Sequence, residues 1–206
     1  MQVDTLFMIV ILVISVVIHE VSHGYVAHML GDSTAKLAGR LTLNPLPHID
    51  PLGSIILPGL LVLSGSPLLF GWAKPVPVNF YNLKNQYWGP ALVGAAGALS
   101  NLFIAIVFGL LIRFSGELGI TSEAFLSISS TIVLLNVLLA VFNLLPIPPL
   151  DGSKVLFAFL PHHLRFVEEF LTRYWVIFIG FLLFFGWQFI GPVVQFIFSI
   201  LTGIGF

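Results

Sequence analysis

The chain has 206 residues, 58% of them hydrophobic and 8% charged, and its mean hydropathy is +1.06. An ordinary soluble domain is about a quarter charged, so lipid rather than water is the expected solvent. Eight Lys and Arg against nine Asp and Glu leave no basic surplus for a phosphate backbone, which argues against a nucleic-acid partner. The absence of Cys excludes disulfides and thiolate metal ligands and leaves His and carboxylates as the strong ligands.

A bilayer-spanning helix needs about 20 mostly apolar residues. Four stretches qualify, at about 5–30, 88–112, 124–145 and 174–190. The first has no basic leader and runs on through His19 without reaching a small-residue cleavage site, so a retained span is expected, not a signal peptide. Two further apolar stretches are doubtful. Pro58, Gly59, Gly65 and Pro67 interrupt 52–70, and 192–206 is short and preceded by Gly191.

Charge placement sets the topology. Lys36, Arg40, Lys74, Lys84, Lys154, Arg165 and Arg173 fall in connections that, by the positive-inside rule, share the cytoplasmic side, whereas Arg113 lies with Glu117 and Glu123 in the connection opposite. This parity requires 52–70 to dip into the membrane and return, with its Pro/Gly-rich backbone lining the path by which water enters. In the basic connections Leu37, Leu41 and Leu43 alternate loosely with polar or small residues, and 74–80 alternates strictly, which predicts short strands. Pro75 and Pro77 confine the second to a sheet edge and leave the amides of Val76 and Val78 free to pair. The expected fold is an all-α integral membrane protein of about four to six transmembrane helices, with a re-entrant segment and short β-strands near the site. Residues 1–206 form a single membrane-embedded domain in this reading.

His19-Glu20-Val21-Ser22-His23 sits near the cytoplasmic end of the first span. Residues at i and i+4 project from one helical face a turn apart, so His19 and His23 can ligate one metal ion while Glu20, offset by about 100°, reaches water at that metal. Zinc suits this set: it lowers the pKa of bound water to about 7 and polarises a peptide carbonyl, while the Glu takes the proton and hands it to the leaving amine. An ionisable cluster inside an apolar span costs about 2.5–3.5 kcal/mol per charged centre on insertion scales, which favours function over accident. A catalytic zinc takes three protein ligands. Pro146, Pro148 and Pro149 stop the third span near the membrane, and Asp151 follows, with Gly152 allowing close backbone approach. Asp151 could cap the next helix, but two imidazoles lacking a third partner at the same membrane face make it the expected ligand. Asp32, Asp50, His48, Glu168 and Glu169 lie in more polar connections, and His28 is off the ligand face. Asn101 and Asn143 are amides in apolar helices, open to donation toward an oxyanion or substrate backbone and equally to interhelical hydrogen bonding.

The motifs H-E-V-S-H-G at 19–24, G-D-S-T-A at 31–35, G-R-L-T-L-N-P at 39–45, H-I-D-P-L-G at 48–53, G-W-A-K-P-V-P-V at 71–78 and N-L-L-P-I-P-P-L-D-G at 143–152 resemble those of the site-2 protease family. The small bacterial type, without a PDZ or CBS domain, is the nearest likeness. The resemblance implies one zinc per chain held by His19, His23 and Asp151, with Glu20 as catalytic base. It implies transmembrane proteins or peptides as substrates, in regulated intramembrane proteolysis or membrane-peptide clearance. The place would be the cell membrane, multi-pass, with the active site toward the cytoplasm. The alternative reading is a zinc carrier or a helix-binding scaffold without proteolysis. Ala98 stands where the family usually has Pro, while Asn101 is retained.

Overall fold

A computed structural model describes residues 5–65 and 71–205. The first span forms α1 (Thr5–Met29), whose 25 residues reach about 37 Å, enough to cross a hydrocarbon core of about 30 Å. A turn at Gly31 leads into the short α2 (Thr34–Leu37), and a stretch of loop and 3₁₀ turn follows as far as Asp50. Pro51–Ile56 then coils as a wide π-type helix running into α3 (Leu57–Leu63). The chain comes back to where it left: Trp72 N donates to the Gly53 carbonyl at 3.1 Å, and Ser54 Oγ donates to the Trp72 carbonyl at 2.8 Å.

The second and third spans are α4 (Gly89–Arg113) and α5 (Glu123–Asn143). Pro90 at the start of α4 has no amide hydrogen to leave unpaired, and Ser122 caps α5 by accepting from Phe125 N. The prolines end α5, and α6 (Asp151–Phe159) turns back against α4. Gly152 makes this tuck possible, because a Cβ there would run into the carbonyl oxygens of Leu144 and Leu145 at the end of α5. An amphipathic helix, α7 (Arg165–Arg173), precedes α8 (Trp175–Phe185) and α9 (Trp187–Thr202). A core of Ala105, Ile112, Val133, Val137, Ile190, Val194 and Phe198 joins α4, α5 and α9. Helix α4 is the hub, touching α1, α5, α6 and α9.

Two expectations change. The fourth span is not continuous over 174–190: α8 and α9 bend by 66° at Gly186, while α9 continues through Pro192. Pro192 lies early in α9, where its missing donor costs one intrahelical bond only. No strand occurs among the described residues. Three of the four amides in 74–79 are taken by partners that are not strands: Lys74 by the His48 carbonyl, Val76 by Glu20 and Asn79 by Asp32. An edge strand without a ladder is only extended chain. Three helices are long and apolar enough to cross a membrane, and the bent pair makes a possible fourth. The molecule is thus an all-helical membrane protein.

Candidate metal centre

His19 lies about 21 Å along α1 from its start and about 15 Å from its end, which puts the site within the apolar length of the helix. His19 and His23 face α4 with their rings edge to face, centroids 4.6 Å apart. Asp151, the first residue of α6, brings its Oδ2 to 3.1 Å from His19 Nε2 and 3.0 Å from His23 Nε2. All three residues are buried. Leu150, not Asp151, occupies the capping position of α6, and the Asp151 side chain makes no capping bond. Lys154 Nζ donates to the other oxygen, Oδ1, at 2.7 Å, so the two oxygens of the carboxylate are divided between a lysine and the imidazoles.

The hydrogen-bond network puts a proton on Nδ1 of each histidine. His23 Nδ1 is 2.6 Å from the Val93 carbonyl oxygen, which can only accept, so Nδ1 carries a hydrogen and the neutral imidazole has its lone pair on Nε2. Asn101 Nδ2 donates to the Ser15 carbonyl at 3.3 Å and to Asn136 Oδ1 at 2.8 Å, which leaves Oδ1 to accept from His19 Nδ1 at 2.7 Å. Asn136 Nδ2 in turn donates to Ser15 Oγ and to the Ile132 carbonyl, both at 2.9 Å. Neutral imidazoles so held aim their Nε2 lone pairs at a carboxylate oxygen, and the three possible ligand atoms lie within 4.8 Å of one another. Three converging acceptors suit a cation. Tetrahedral zinc with bonds of about 2.0–2.1 Å holds its ligand atoms about 3.3 Å apart, close to the separations found here, so the residues fit that metal. Gly97 of α4 keeps the space open, since a Cβ there would stand 2.5 Å from His23 Nε2 and 2.6 Å from His19 Nε2.

Glu20, next to His19 on α1, reaches the segment at 74–79. Its Oε2 accepts from Val76 N at 2.8 Å, and among the described residues Oε1 makes no hydrogen bond. The amide of Val78 makes none either among the described residues, and its side chain packs beside Ala27, Leu83 and Val93. Asn101 is fully buried with its amide hydrogens engaged, while Asn143 donates to the Leu139 carbonyl of its own helix at 2.9 Å and bonds to no residue of the cluster. Asp32 and His48 serve the loops, as described below, and His28 meets Ser33 Oγ at 3.2 Å.

The profile of peptidase family M50 matches residues 115–186. The chain is similar to YwhC of Bacillus subtilis (strain 168), a protein with a zinc-metalloprotease name, at 39% identity over 164 residues, covering 77% of this chain and 71% of that one. The chain belongs to peptidase family M50. Rip2 of Mycolicibacterium smegmatis, also named for a zinc metalloprotease, is 32% identical over 142 residues, with 69% of this chain and 52% of Rip2 covered. The zinc metalloprotease MJ0392 of Methanocaldococcus jannaschii is 27% identical over 151 residues, covering 73% of this chain and 33% of that protein. This chain thus spans about half the length of the mycobacterial relative and a third of the archaeal one. No solved structure matches. As an M50 peptidase of the site-2 protease type, the protein is an intramembrane zinc metalloprotease and zinc is its metal.

Four residues at this M50 site escape a reading of motifs. Asn136 has the same signature as Asn143, an amide in an apolar helix, and only packing distinguishes which one bonds to Asn101 behind His19. Gly97 reads as one member of a small-residue run. Lys154, three residues beyond Asp151, has the spacing of a helical ion pair. Arg40 reads as a topology marker.

Proposed function

We propose that this M50 peptidase hydrolyses peptide bonds within or beside transmembrane segments of other membrane proteins, with His19, His23 and Asp151 as zinc ligands and Glu20 as general base. The observation that carries this is the convergence of two Nε2 atoms and Oδ2, with the adjacent carboxylate of Glu20 oriented by a backbone amide. Zinc, when bound, supplies a Lewis acid for the scissile carbonyl and makes water acidic enough to deprotonate near neutral pH. Glu20 Oε1 takes the proton from the attacking water and delivers it to the leaving nitrogen, while Oε2 stays on Val76 N. Asn101 and the Val93 carbonyl hold the imidazoles, and Lys154 keeps Asp151 turned so that only Oδ2 faces them. Burial of the cluster excludes bulk water from the ligands.

A helical substrate hides its carbonyls in i to i−4 bonds and must unwind to be cut. The extended 74–78 segment beside Glu20 offers a backbone along which an unwound substrate can lie, with Val76 and Val78 as its contacts. The proximity of Gly53 and Trp72 supports a re-entrant course for the segment between them. With the basic connections, it supports a multi-pass arrangement in the cell membrane with the site toward the cytoplasm. Residues 1–206 act as one domain in this reading. Membership of a peptidase family does not favour a carrier or a non-proteolytic scaffold. Glu20→Gln should retain one zinc per chain and cleave no membrane-anchored reporter; a variant that still cuts removes Glu20 from proton transfer.

A further inference from the structure

Arg40 is 8% exposed, and its guanidinium lies within salt-bridge distance of no carboxylate among the described residues. A buried cation without a counter-charge is costly, so its position requires a reason. Nη2 donates to the Lys74 carbonyl at 2.8 Å and lies 3.4 Å from His48 Nδ1, while Nε has no partner. His48 is itself fixed. Its Nε2 donates to the Thr42 carbonyl at 3.0 Å, which leaves Nδ1 as the acceptor facing Arg40. The His48 carbonyl also accepts from Lys74 N at 2.9 Å. Both backbone groups of Lys74 are therefore clamped, one by Arg40 and one by His48.

Two residues after the clamp, Val76 N reaches Glu20 Oε2 at 2.8 Å. Three residues later the segment is pinned again, by Asn79 N donating to Asp32 Oδ2 at 2.8 Å. Pro75 and Pro77 flank Val76, so between the two clamps the only amide hydrogens belong to Val76 and Val78. Extended chain anchored at Lys74 has little freedom to move Val76 relative to α1.

We propose that Arg40 is a positioning residue for Glu20, fixing the Lys74 carbonyl so that the Val76 amide holds the carboxylate in line for proton transfer. Arginine rather than lysine suits the task, because a planar guanidinium can address a carbonyl and an imidazole from one rigid fork. The inference rests on the reading of Glu20 as the base and adds a residue to that site. It concerns the base alone: the zinc ligands are held by α4, α5 and α6, none of which Arg40 contacts through a hydrogen bond.

The test compares full-length wild type, Arg40→Gln, Arg40→Lys and Glu20→Gln in detergent or nanodiscs, by zinc content, by kcat and KM on one membrane-anchored reporter, and by amide exchange across 75–78. Arg40→Gln should keep one zinc, lose about tenfold or more in kcat as a misplaced catalytic group does, and leave KM within about twofold. Arg40→Lys should recover part of that loss, and the Val76 amide, protected in wild type, should exchange freely in Arg40→Gln. Unchanged kcat in zinc-replete Arg40→Gln, or lost kcat with the Val76 amide still protected, overturns the proposal. If Arg40→Gln loses zinc, the same kcat and exchange comparison on Arg40→Lys decides, since a merely structural role would not link the two. An inactive Glu20→Gln beside a normal Arg40→Gln sinks the Arg40 link alone, whereas an active Glu20→Gln sinks the assignment of the base.

Discussion

His19 and Glu20 are neighbours in α1, yet their side chains are held by different kinds of structure. His19 leans on Asn101 of α4, which is tied to Asn136 of α5 and to the Ser15 carbonyl of α1 itself. Glu20 is held by one backbone amide from a loop whose position depends on Arg40 at one end and Asp32 at the other. His23 combines the two, a helical side chain held by the backbone carbonyl of Val93. Amides buried in apolar helices give fixed geometry, because breaking such a bond strands polar groups where no water can replace the partner. A loop has to be clamped from outside to do the same, here by Arg40 and Asp32.

The comparison can be broken from both sides. The largest effect belongs to Asp151→Ala, which removes the proposed third ligand and should abolish both zinc retention and reporter cleavage; full metal occupancy by elemental analysis would reduce Asp151 to a packing residue. Next, Asn101→Ala should lower zinc affinity or activity by about 10–100-fold, the usual cost of losing the partner of a ligating imidazole. Val93→Ala should leave zinc affinity unaltered, since the carbonyl that holds His23 remains. Equal losses in a chelator-competition titration would erase the distinction between side-chain and backbone support.

The smallest effect concerns the loop pin. Asp32 is fully buried, and although burial raises its pKa, bonds from Thr34, Asn82 and Asn79 outweigh this and hold the carboxyl below the usual carboxylate range. Its folded-state pKa is thus below the unfolded one, so the stabilisation is complete above the unfolded value of about 3.9 and is lost as pH falls through the folded value. Asp32→Asn should lower thermal stability at neutral pH by about 1–3 kcal/mol and flatten this acid dependence, with zinc content intact. A variant whose acid dependence matches wild type would show that Asp32 does not pin the loop.

Much of the centre is legible in the sequence because it depends on local spacing. His23 follows His19 at i+4, which places both on one face whatever surrounds the helix, and the prolines before Asp151 announce a chain reversal. The three long spans follow from apolar length alone. What resists reading is rotation about a helix axis. Helices α1, α4 and α5 have no marked amphipathic stripe, so nothing in the pattern reveals that Asn136 rather than Asn143 bonds to Asn101. The 74–80 alternation is real, but a strand needs a partner, and carboxylates of α1 and the following turn took the amides first. The bend at Gly186 is hidden inside an apolar run that has the length of one span.

The central claim is that two imidazole nitrogens and one carboxylate oxygen hold a single zinc ion. Zinc-edge X-ray absorption on the purified, metal-replete protein tests it most directly. The account predicts one zinc per chain with two nitrogen neighbours at about 2.0–2.1 Å and a carboxylate oxygen at about 2.0–2.2 Å that disappears in Asp151→Ala. A zinc-free preparation, or a ligand shell unchanged by that substitution, would contradict it.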